Sequence, residues 1–259
     1  MKFAKLNMRI DNAATTTNVD VFHAFTNPLV IEPIVIHLPP MCGRFALFTD
    51  PPAVTLRLGL PDPETSWAPR YNITPGTWIT GVRRREPEDE PTIDDLWWGY
   101  RPSWAGGDAP QPINARVETL ATSRYFKGAF RQHRCLIPAD GWFEWLPTAS
   151  GKQPHFICRE DRELLFLAGI WADYADGSAC CAIITEPARG IAKEIHDRMP
   201  LALADNSLDA WLDPELHERD AIRSAVHHLD IDLVTHWPVS TRVNRPGNDD
   251  AVLIEPVDQ

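Results

Sequence analysis

The chain has 259 residues, of which 44% are hydrophobic, and it includes ten tryptophans and 24 prolines. This composition can bury a substantial core as one large domain or two small ones, and we expect one. The formal net charge of −11 argues against a nucleic-acid partner, because phosphate binding usually requires a basic surface. The acidity lies mainly after residue 145, however, so a basic face in the earlier part is not excluded.

The five cysteines favour a reducing compartment. They are an odd number without the spacing of a disulfide framework, and no apolar run approaches the roughly 20 residues that span a bilayer. We therefore expect a soluble, cytoplasmic protein. His155-x-x-Cys158 and the adjacent Cys180 and Cys181 resemble zinc ligands only superficially, because neighbouring cysteines do not easily share one tetrahedral site. We expect core cysteines, with no metal and no cofactor.

Residues 1–40 differ in composition from the rest of the chain. A polar, Thr/Asn-rich stretch is followed by the apolar run Leu29–Leu38, which Glu32 interrupts. No small-residue cleavage site follows, so the segment is unlike a secretory signal. We expect it to lie outside a catalytic domain of residues 41–259. Three explanations stay open: a start codon assigned too far upstream, a leader removed after synthesis, or a retained tail.

From Met41 onward, short apolar runs alternate with turn residues. Asp50 is the residue type that caps helices, and helices are predicted at 51–60, 117–130, 188–197 and 214–227. A turn is predicted at 71–77 and a charged hairpin tip at 83–95. Strands are predicted at 42–48, 78–82, 96–100, 135–137, 141–145, 155–158, 164–171, 179–185 and 233–236. The pattern indicates a single α+β domain built on largely antiparallel sheet.

Cys42 stands in the segment Met41-Cys42-Gly43-Arg44-Phe45. If translation begins at Met41, removal of that methionine leaves Cys42 with a free α-amine beside its thiol. The amine, whose ordinary pKa is near 8, then condenses with an aldehyde to an imine, and the thiol closes the imine to a thiazolidine. An internal Cys42 has only an amide nitrogen and cannot react in this way. The alternative is a buried structural cysteine at a strand start.

Three further segments contain residues suited to acid–base chemistry or phosphate binding. In PINARVET, the amide of Asn114 can orient a nucleophile and the planar guanidinium of Arg116 can bind phosphate, although an Asn near a helix start is usually a cap. Glu144 lies between aromatic residues on a predicted strand, a setting that raises a carboxyl pKa unless the side chain faces solvent. His196 lies at a predicted helix end, where a single histidine is usually structural or exposed.

Several motifs follow one another between Met41 and about Pro256: MCGRF, RYNITPGT, WWGYRPSWA, INARVETLATSRYF, RCLIPADGWFEW, HDRMPL and HWPVSTRV. In this order they strongly resemble the SOS response-associated peptidase family, which includes abasic-site processing proteins that crosslink to single-stranded DNA. The resemblance implies the family's α+β fold, with a barrel-like core and flanking helices. It also implies a monomer whose partner is single-stranded DNA containing abasic sites, and association with the nucleoid when bound.

Carried over by motif, the resemblance assigns catalytic roles to four residues. It makes Cys42 the mature N-terminus and covalent nucleophile, with Asn114 beside it. Glu144 and His196 match the family's acid/base pair. The 40 preceding residues are the one serious departure from the family pattern, because they would block the amine of Cys42.

The resemblance also implies a DNA-binding surface. Arg44 and Arg116 are expected on DNA phosphates. The other implied positions are Asn72, Pro75, Trp97, Trp98 and the pocket-lining Thr185. For the two tryptophans, core packing competes with base stacking.

The predicted function is a covalent thiazolidine crosslink between Cys42 and the ring-opened sugar of an abasic site, protecting single-stranded DNA during the damage response. In it, His196 assists ring opening, Glu144 shuttles protons and Asn114 holds the aminothiol in position. Two other classes stay open. An N-terminal-nucleophile thiol peptidase would also use a free Cys42, with self-processing as its narrowest form. A non-covalent single-strand binder is expected if residues 1–40 are retained.

Overall fold

The computed structural model describes residues 42–61, 66–174 and 176–257, so the predictions for residues 1–40 lie outside the described residues. The described strands are β1 (Phe45–Leu47), β2 (Arg70–Ile73), β3 (Trp78–Arg83), β4 (Thr92–Trp98), β5 (Asn114–Arg116), β6 (Arg134–Ala139), β7 (Gly141–Thr148), β8 (Gly151–Arg159), β9 (Leu165–Asp173), β10 (Ala179–Pro187), β11 (Arg198–Pro200) and β12 (Val234–Pro238). The described helices are α1 (Pro51–Leu58), α2 (Val117–Leu120), α3 (Lys127–Gln132), α4 (Leu208–Leu212) and α5 (Arg219–Ala225). The predicted α+β class is confirmed.

Five strands close into a barrel. Strand β10 pairs with β4 and β9, β4 pairs with β3, β3 with β6, and β6 with β9, so the ring returns to β10. The β10–β4 pair is parallel and the other four pairs are antiparallel. Apolar side chains from every strand of the ring are buried in the main core, among them Val82, Leu96, Ile137, Ala168 and Cys181. The predicted barrel-like, largely antiparallel core is therefore confirmed.

A second, antiparallel sheet has the strand order β12–β8–β7–β1–β2. Because successive side chains point to opposite faces of a strand, its two faces separate cleanly. One face carries Phe143 and Phe156 into a small outer cluster. The other face carries Trp142 and Ile157 into the main core. Glu144 lies two residues after Trp142, so it points to the main-core side of the sheet and away from solvent.

Two predicted helices differ from the structure. The helix predicted at 117–130 is broken into α2 and α3 by a turn, in which Ser123 Oγ accepts a hydrogen bond from Tyr125 N at 3.2 Å. Serine side chains compete with helical hydrogen bonding in this way. The helix predicted at 188–197 is only a 3-10 turn, Gly190–Glu194, followed by β11. That replacement matters for the site because β11 begins two residues after His196.

Strand β1 is shorter than the strand predicted at 42–48, and the residues before it are conformationally constrained. Cys42 has a φ of 49°, in the left-handed region, and regular pairing begins only at Phe45. The prediction for Asp50 is confirmed, since its side chain accepts a hydrogen bond from Ala53 N at the start of α1. Residues 71–73, for which the sequence predicts a turn, belong instead to β2.

Within residues 42–61, 66–174 and 176–257, no helix is long and apolar enough to cross a bilayer, and no three His, Cys, Asp or Glu side chains are arranged to hold a metal ion. All five cysteines are buried and free. His155 contacts His236 through Nδ1 at 3.1 Å, whereas Cys158 packs in the outer cluster on the opposite face of β8.

Candidate active site

Strand pairing brings Cys42 to Glu144, although 102 residues separate them. Strand β1 pairs with β7 so that Phe45 lies opposite Trp142, and Phe143 N donates to Arg44 O at 2.9 Å. The same register extended backwards leads to a hydrogen bond of 2.9 Å from the Cys42 nitrogen to Glu144 Oε1. Cys42 is 4% exposed and Glu144 is 3% exposed. The nitrogen and the carboxyl group therefore meet in a site largely shielded from water.

Two residues at the β6–β7 junction hold this register. A Cβ atom on Gly141 would lie 2.6 Å from the carbonyl oxygen of Ile157, so only glycine allows β7 to approach β8 this closely. Asp140 is buried and accepts hydrogen bonds from Phe48 N at 2.6 Å and Thr49 N at 2.9 Å. These contacts tie the end of β1 to the start of β7. They indirectly fix the distance between Cys42 and Glu144.

Burial controls the titration of both groups. It raises the pKa of Glu144 to about 7, even though the hydrogen bonds from Cys42 act in the opposite direction. Burial, followed by the nearby charge of Glu144, raises the pKa of the Cys42 thiol well above its usual value. The charge of Arg198 acts in the opposite direction on that thiol. At neutral pH the site therefore holds a neutral thiol beside a carboxyl group that readily gains or loses a proton.

In a chain whose Cys42 nitrogen is an amide, we expect Glu144→Gln to increase the free energy of unfolding at about pH 8. The folded pKa of about 7 exceeds the unfolded value of 4.5. Stability is thus greatest below the unfolded pKa and falls by about 3 kcal/mol as the pH rises through the folded pKa. Glutamine keeps the acceptor for Cys42 but does not titrate. Urea unfolding at about pH 5 and about pH 8 measures the difference; equal stability of both proteins at the higher pH would contradict it.

The segment that carries His196 lies within electrostatic range of Cys42. The charges of Asp197 and Arg198 both act on the Cys42 thiol. His196 Nδ1 accepts a hydrogen bond from Arg198 N at 3.0 Å and also lies 2.9 Å from Asp197 Oδ1. Because both contacts use Nδ1, Nε2 is the ring nitrogen that faces no described protein partner.

Arg198 is fixed by its own partners. It forms an ion pair with Glu118, and its Nη2 donates to the carbonyl oxygen of Thr185 at 2.7 Å and to the Thr185 hydroxyl at 3.2 Å. The side chain of Arg198 is only 9% exposed. This buried cation therefore has a defined position close to the thiol.

Strand β10 connects the remaining predicted residues. On one side β5 pairs with it, so that Asn114 lies opposite Ile183 and Arg116 lies opposite Thr185. On the other side β11 pairs with it, with Arg198 opposite Pro187. Asn114 is partly buried and Arg116 is exposed. The segment of Asn114 and Arg116 and the segment that follows His196 are distant in the sequence. Both are attached to the single strand β10.

Trp98 corrects one prediction for the DNA-binding surface. Its ring is 0% exposed, it packs edge-on against Phe45 with 5.3 Å between ring centroids, and its Nε1 donates to Ile113 O at 2.9 Å. A nucleobase has no access to this ring, so Trp98 is a core residue. Trp97 points the other way, is partly exposed and packs edge-on against Trp78 with 5.5 Å between ring centroids.

Asn72 and Thr185 also differ from predicted DNA contacts. Asn72 is 3% exposed, and its Nδ2 donates to the carbonyl oxygens of Val243, Arg245 and Asn248. Thr185 is 0% exposed, and its hydroxyl accepts from Arg198. Both side chains are committed to the protein. Neither side chain is accessible from solvent.

Arg44 and Pro75 lie nearer to solvent. The Nη1 of Arg44 donates to Asn72 Oδ1 and to Val243 O, both at 2.6 Å, and its guanidinium lies 5.8 Å from the ring centroid of Trp145. Burial lowers the pKa of Arg44. Pro75 is partly buried in the turn between β2 and β3. These positions fit the edge of a binding surface.

A protein-family model described as SOS response associated peptidase (SRAP) matches residues 41–246. This chain belongs to the SRAP family. Three curated relatives are named abasic site processing proteins. YedK of Escherichia coli is 36% identical over 228 residues, covering 84% of this chain and 100% of YedK. YoqW of Bacillus subtilis is 32% identical, covering 83% and 99%. HMCES of Gallus gallus is 30% identical, covering 68% of this chain and 61% of HMCES.

Solved structures confirm the SRAP chain's fold. A protein from Bacteroides thetaiotaomicron has a TM-score of 0.71 at 20% identity, covering 83% of this chain and 100% of its own. A phage-related protein from Bordetella bronchiseptica has a TM-score of 0.64 at 32% identity, covering 76% of this chain and 94% of its own. The predicted α+β architecture is therefore confirmed, and the family model and the relatives confirm the sequence resemblance.

Two tryptophans of this SRAP chain are not singled out by the sequence patterns. Trp104 is 61% exposed and Trp78 is 45% exposed. Trp104 packs edge-on against Tyr125, with 5.7 Å between ring centroids, and the Arg124 guanidinium lies 5.9 Å from its ring centroid. Trp104 stands inside the motif WWGYRPSWA, but a motif does not show which of its tryptophans is exposed. Large exposed aromatic rings beside arginines are suited to base stacking.

Proposed function

We propose that this SRAP chain, when it begins at Cys42, captures abasic sites of single-stranded DNA covalently as a thiazolidine. One observation carries the proposal: the nitrogen of Cys42 lies 2.9 Å from the Glu144 carboxyl group, and both residues are buried. A free α-amine at this position would lie beside the thiol of the same residue. It would also contact Glu144, which can carry protons. The names of the relatives support abasic sites as the substrate.

The raised pKa of Glu144 suits it to free the amine for attack. An α-ammonium has a pKa near 8, and a model carboxyl group has one about 3.5 units lower, so proton transfer between them costs about 5 kcal/mol. With the Glu144 pKa at about 7, the gap is roughly one unit, or about 1.4 kcal/mol. Burial also disfavours the doubly charged pair relative to a neutral amine beside a neutral acid. The nucleophilic amine is therefore accessible near neutral pH.

The covalent step needs only groups that the site contains. The amine adds to the aldehyde carbon of the open sugar, and Glu144 supplies the proton with which the carbinolamine oxygen leaves as water. The Cys42 thiol then adds to the imine carbon, and its proton passes to the imine nitrogen, with Glu144 as carrier. One aldehyde and one aminothiol thus give one thiazolidine and one water, without an oxidant or a metal ion.

His196 and Asn114 complete this mechanism. An abasic sugar is mostly a closed hemiacetal, so opening it is a separate proton-transfer step. We assign that step to Nε2 of His196, because Nδ1 is held by Arg198 N and Asp197. Asn114 lies on β5, next to β10, and its proposed role is to orient the aminothiol.

The exposed arginines and tryptophans supply the non-covalent contacts with single-stranded DNA. Arg116 is exposed at the end of β5, and Arg44 lies at the edge of the site, where both suit phosphates that flank the lesion. Trp97, Trp78 and Trp104 offer accessible rings for unpaired bases, each stack being worth about 1–3 kcal/mol. Such a surface requires no overall positive charge. It reconciles single-stranded DNA with a chain of net charge −11.

A second activity, removal of the residues before Cys42 by the chain itself, is favoured by the backbone at that residue. A φ of 49° is costly for a residue other than glycine, by about 1–2 kcal/mol. Cleavage of the bond before Cys42 removes that dihedral constraint and creates the free amine. In this form the thiol-peptidase alternative becomes the step that precedes crosslinking. If residues 1–40 are retained, the proposal predicts only non-covalent binding.

The decisive experiment combines intact mass with an abasic oligonucleotide. Protein that begins at Cys42 is incubated with single-stranded DNA containing one abasic site, and the mixture is denatured and weighed. We expect one adduct whose mass equals the sum of protein and DNA minus one water. An oligonucleotide with a tetrahydrofuran analogue, which has no aldehyde, is the matched control. Salt-sensitive binding to both oligonucleotides without an adduct would refute covalent capture.

A further inference from the structure

An apolar groove lies among α2, α3, α4 and α5, at a position that the proposed mechanism does not use. Its volume is about 320 Å³. Its floor consists of core side chains that are each 8% exposed or less, including Leu120, Phe130, Trp211 and Ile222. Cys42, Glu144 and His196 do not line it. The groove is therefore a separate feature of the surface, with its own lining.

The rim of this groove carries two cations without a carboxylate partner. Arg219 and Arg223 are four residues apart on α5, so their side chains lie on the same side of the helix. Both are exposed and both line the groove. Neither forms an ion pair with another described residue, and the adjacent Glu218 is engaged by Arg131. In the most acidic part of the chain, this pair is a local concentration of positive charge.

The other charged groups at the rim are already neutralised. Glu118 forms an ion pair with Arg198 on its inner side. His228 Nδ1 lies 2.8 Å from Glu186 Oε2. The uncompensated charge of the groove is consequently that of the two arginines alone. A ligand that completes the groove must bring apolar surface for the floor and negative charge for the rim.

We propose that this groove binds an acidic peptide segment that inserts one bulky apolar side chain. The volume lies at the lower end of the range for ligand pockets, which suits one or two side chains better than a whole helix. Arginines bind carboxylates through paired hydrogen bonds, and clusters of arginine recognise acidic motifs. A nucleic-acid strand fits less well, because the floor of the groove is apolar and offers no polar groups to base edges. The proposal is independent of Cys42 and of abasic sites.

Fluorescence anisotropy with a labelled peptide tests the proposal. The probe is fluorescein-Gly-Asp-Glu-Asp-Asp-Leu-Phe, titrated with the full chain, and with Cys42→Ala to separate this binding from covalent chemistry. We expect saturable binding that weakens about tenfold or more with Arg219→Glu plus Arg223→Glu. Lys152→Glu, an exposed charge reversal on the β7–β8 hairpin, should leave binding unchanged. A charge-swapped peptide with lysines in place of the acids should bind the double variant more tightly than it binds the parent protein.

The last comparison separates direct contact from a general effect of the substitutions, because a damaged fold would not gain affinity for the swapped peptide. Replacing Leu-Phe of the probe by Ala-Ala should also abolish saturation. Absence of binding up to about 1 mM, equal affinity in the double variant, or equal affinity of the Ala-Ala peptide would each overturn the proposal. Displacement of the probe only by single-stranded DNA would identify the groove as a nucleic-acid site instead and overturn it as well.

Discussion

Replacing Cys42 by alanine, in a chain that begins at that residue, is expected to abolish the denaturation-resistant adduct with abasic single-stranded DNA. The variant keeps an α-amine beside Glu144, so it can still form an imine with the open sugar. It has no thiol to close the ring, and an imine hydrolyses when the protein is denatured. A denaturing gel should therefore show no adduct without reductant, and a trapped adduct when borohydride is added.

Two controls sharpen this expectation. Cys158→Ala removes another fully buried thiol, on the opposite face of the same sheet, and should leave the adduct intact. A chain with one extra alanine between Met41 and Cys42 keeps the thiol but moves the free amine to the added residue, so the thiazolidine cannot close and no adduct should form without borohydride. A stable adduct in Cys42→Ala without borohydride would remove Cys42 from the chemistry.

The second large effect is expected from Glu144→Gln, which should slow thiazolidine formation by about 10²–10⁴-fold, the usual contribution of a general acid–base group. Glutamine keeps the hydrogen-bond acceptor at 2.9 Å from the Cys42 nitrogen but cannot exchange protons. Binding to undamaged single strands should be unchanged. Glu160→Gln, which removes an exposed carboxylate, is the matched control and should react like the parent.

The pH dependence of the same reaction gives a sharper criterion than the rate alone. In the parent, the amine and Glu144 titrate as a coupled pair that works with one shared proton. Adding a second proton blocks the amine, and removing the shared proton leaves no acid for dehydration, so we expect a bell-shaped profile. In Glu144→Gln the amine no longer shares a proton with a carboxyl group, and the alkaline limb that Glu144 supplies should disappear. A bell that persists unchanged would assign the acid to another group.

Much of the fold could be predicted because its strands are short, apolar and separated by turn residues. The strands predicted for β6, β7, β8 and β10 fall within the observed strands, and the one predicted for β9 begins one residue early. The two helix predictions failed because other local hydrogen bonds compete with helix formation, and a hydrophobic pattern does not show them. The helix predicted at 117–130 is interrupted where the Ser123 hydroxyl accepts a hydrogen bond from Tyr125 N, and the one predicted at 188–197 gives way to the pairing of β11 with β10.

The candidate site was harder to predict than the strands that carry it. Motifs identified Cys42 and Glu144 individually, but their contact depends on the register of β1 against β7, which no local pattern contains. Alternation along β4 requires Trp97 and Trp98 to face opposite ways, yet it does not say which faces the core. Asn72 and Thr185 show a related difficulty. A sequence motif does not say whether a polar residue contacts a ligand or forms hydrogen bonds within the protein.

The place of β1 within its sheet has a mechanical consequence. This strand has only three residues, but it is an inner strand, hydrogen-bonded to β7 on one side and β2 on the other. Chain termini usually fray, whereas a terminus at Cys42 lies three residues before a strand that is clamped between two neighbours. If DNA is attached there, tension on the chain would have to break both sets of hydrogen bonds before any residue of β1 could be drawn out. The attachment point would then resist pulling as strongly as the sheet itself.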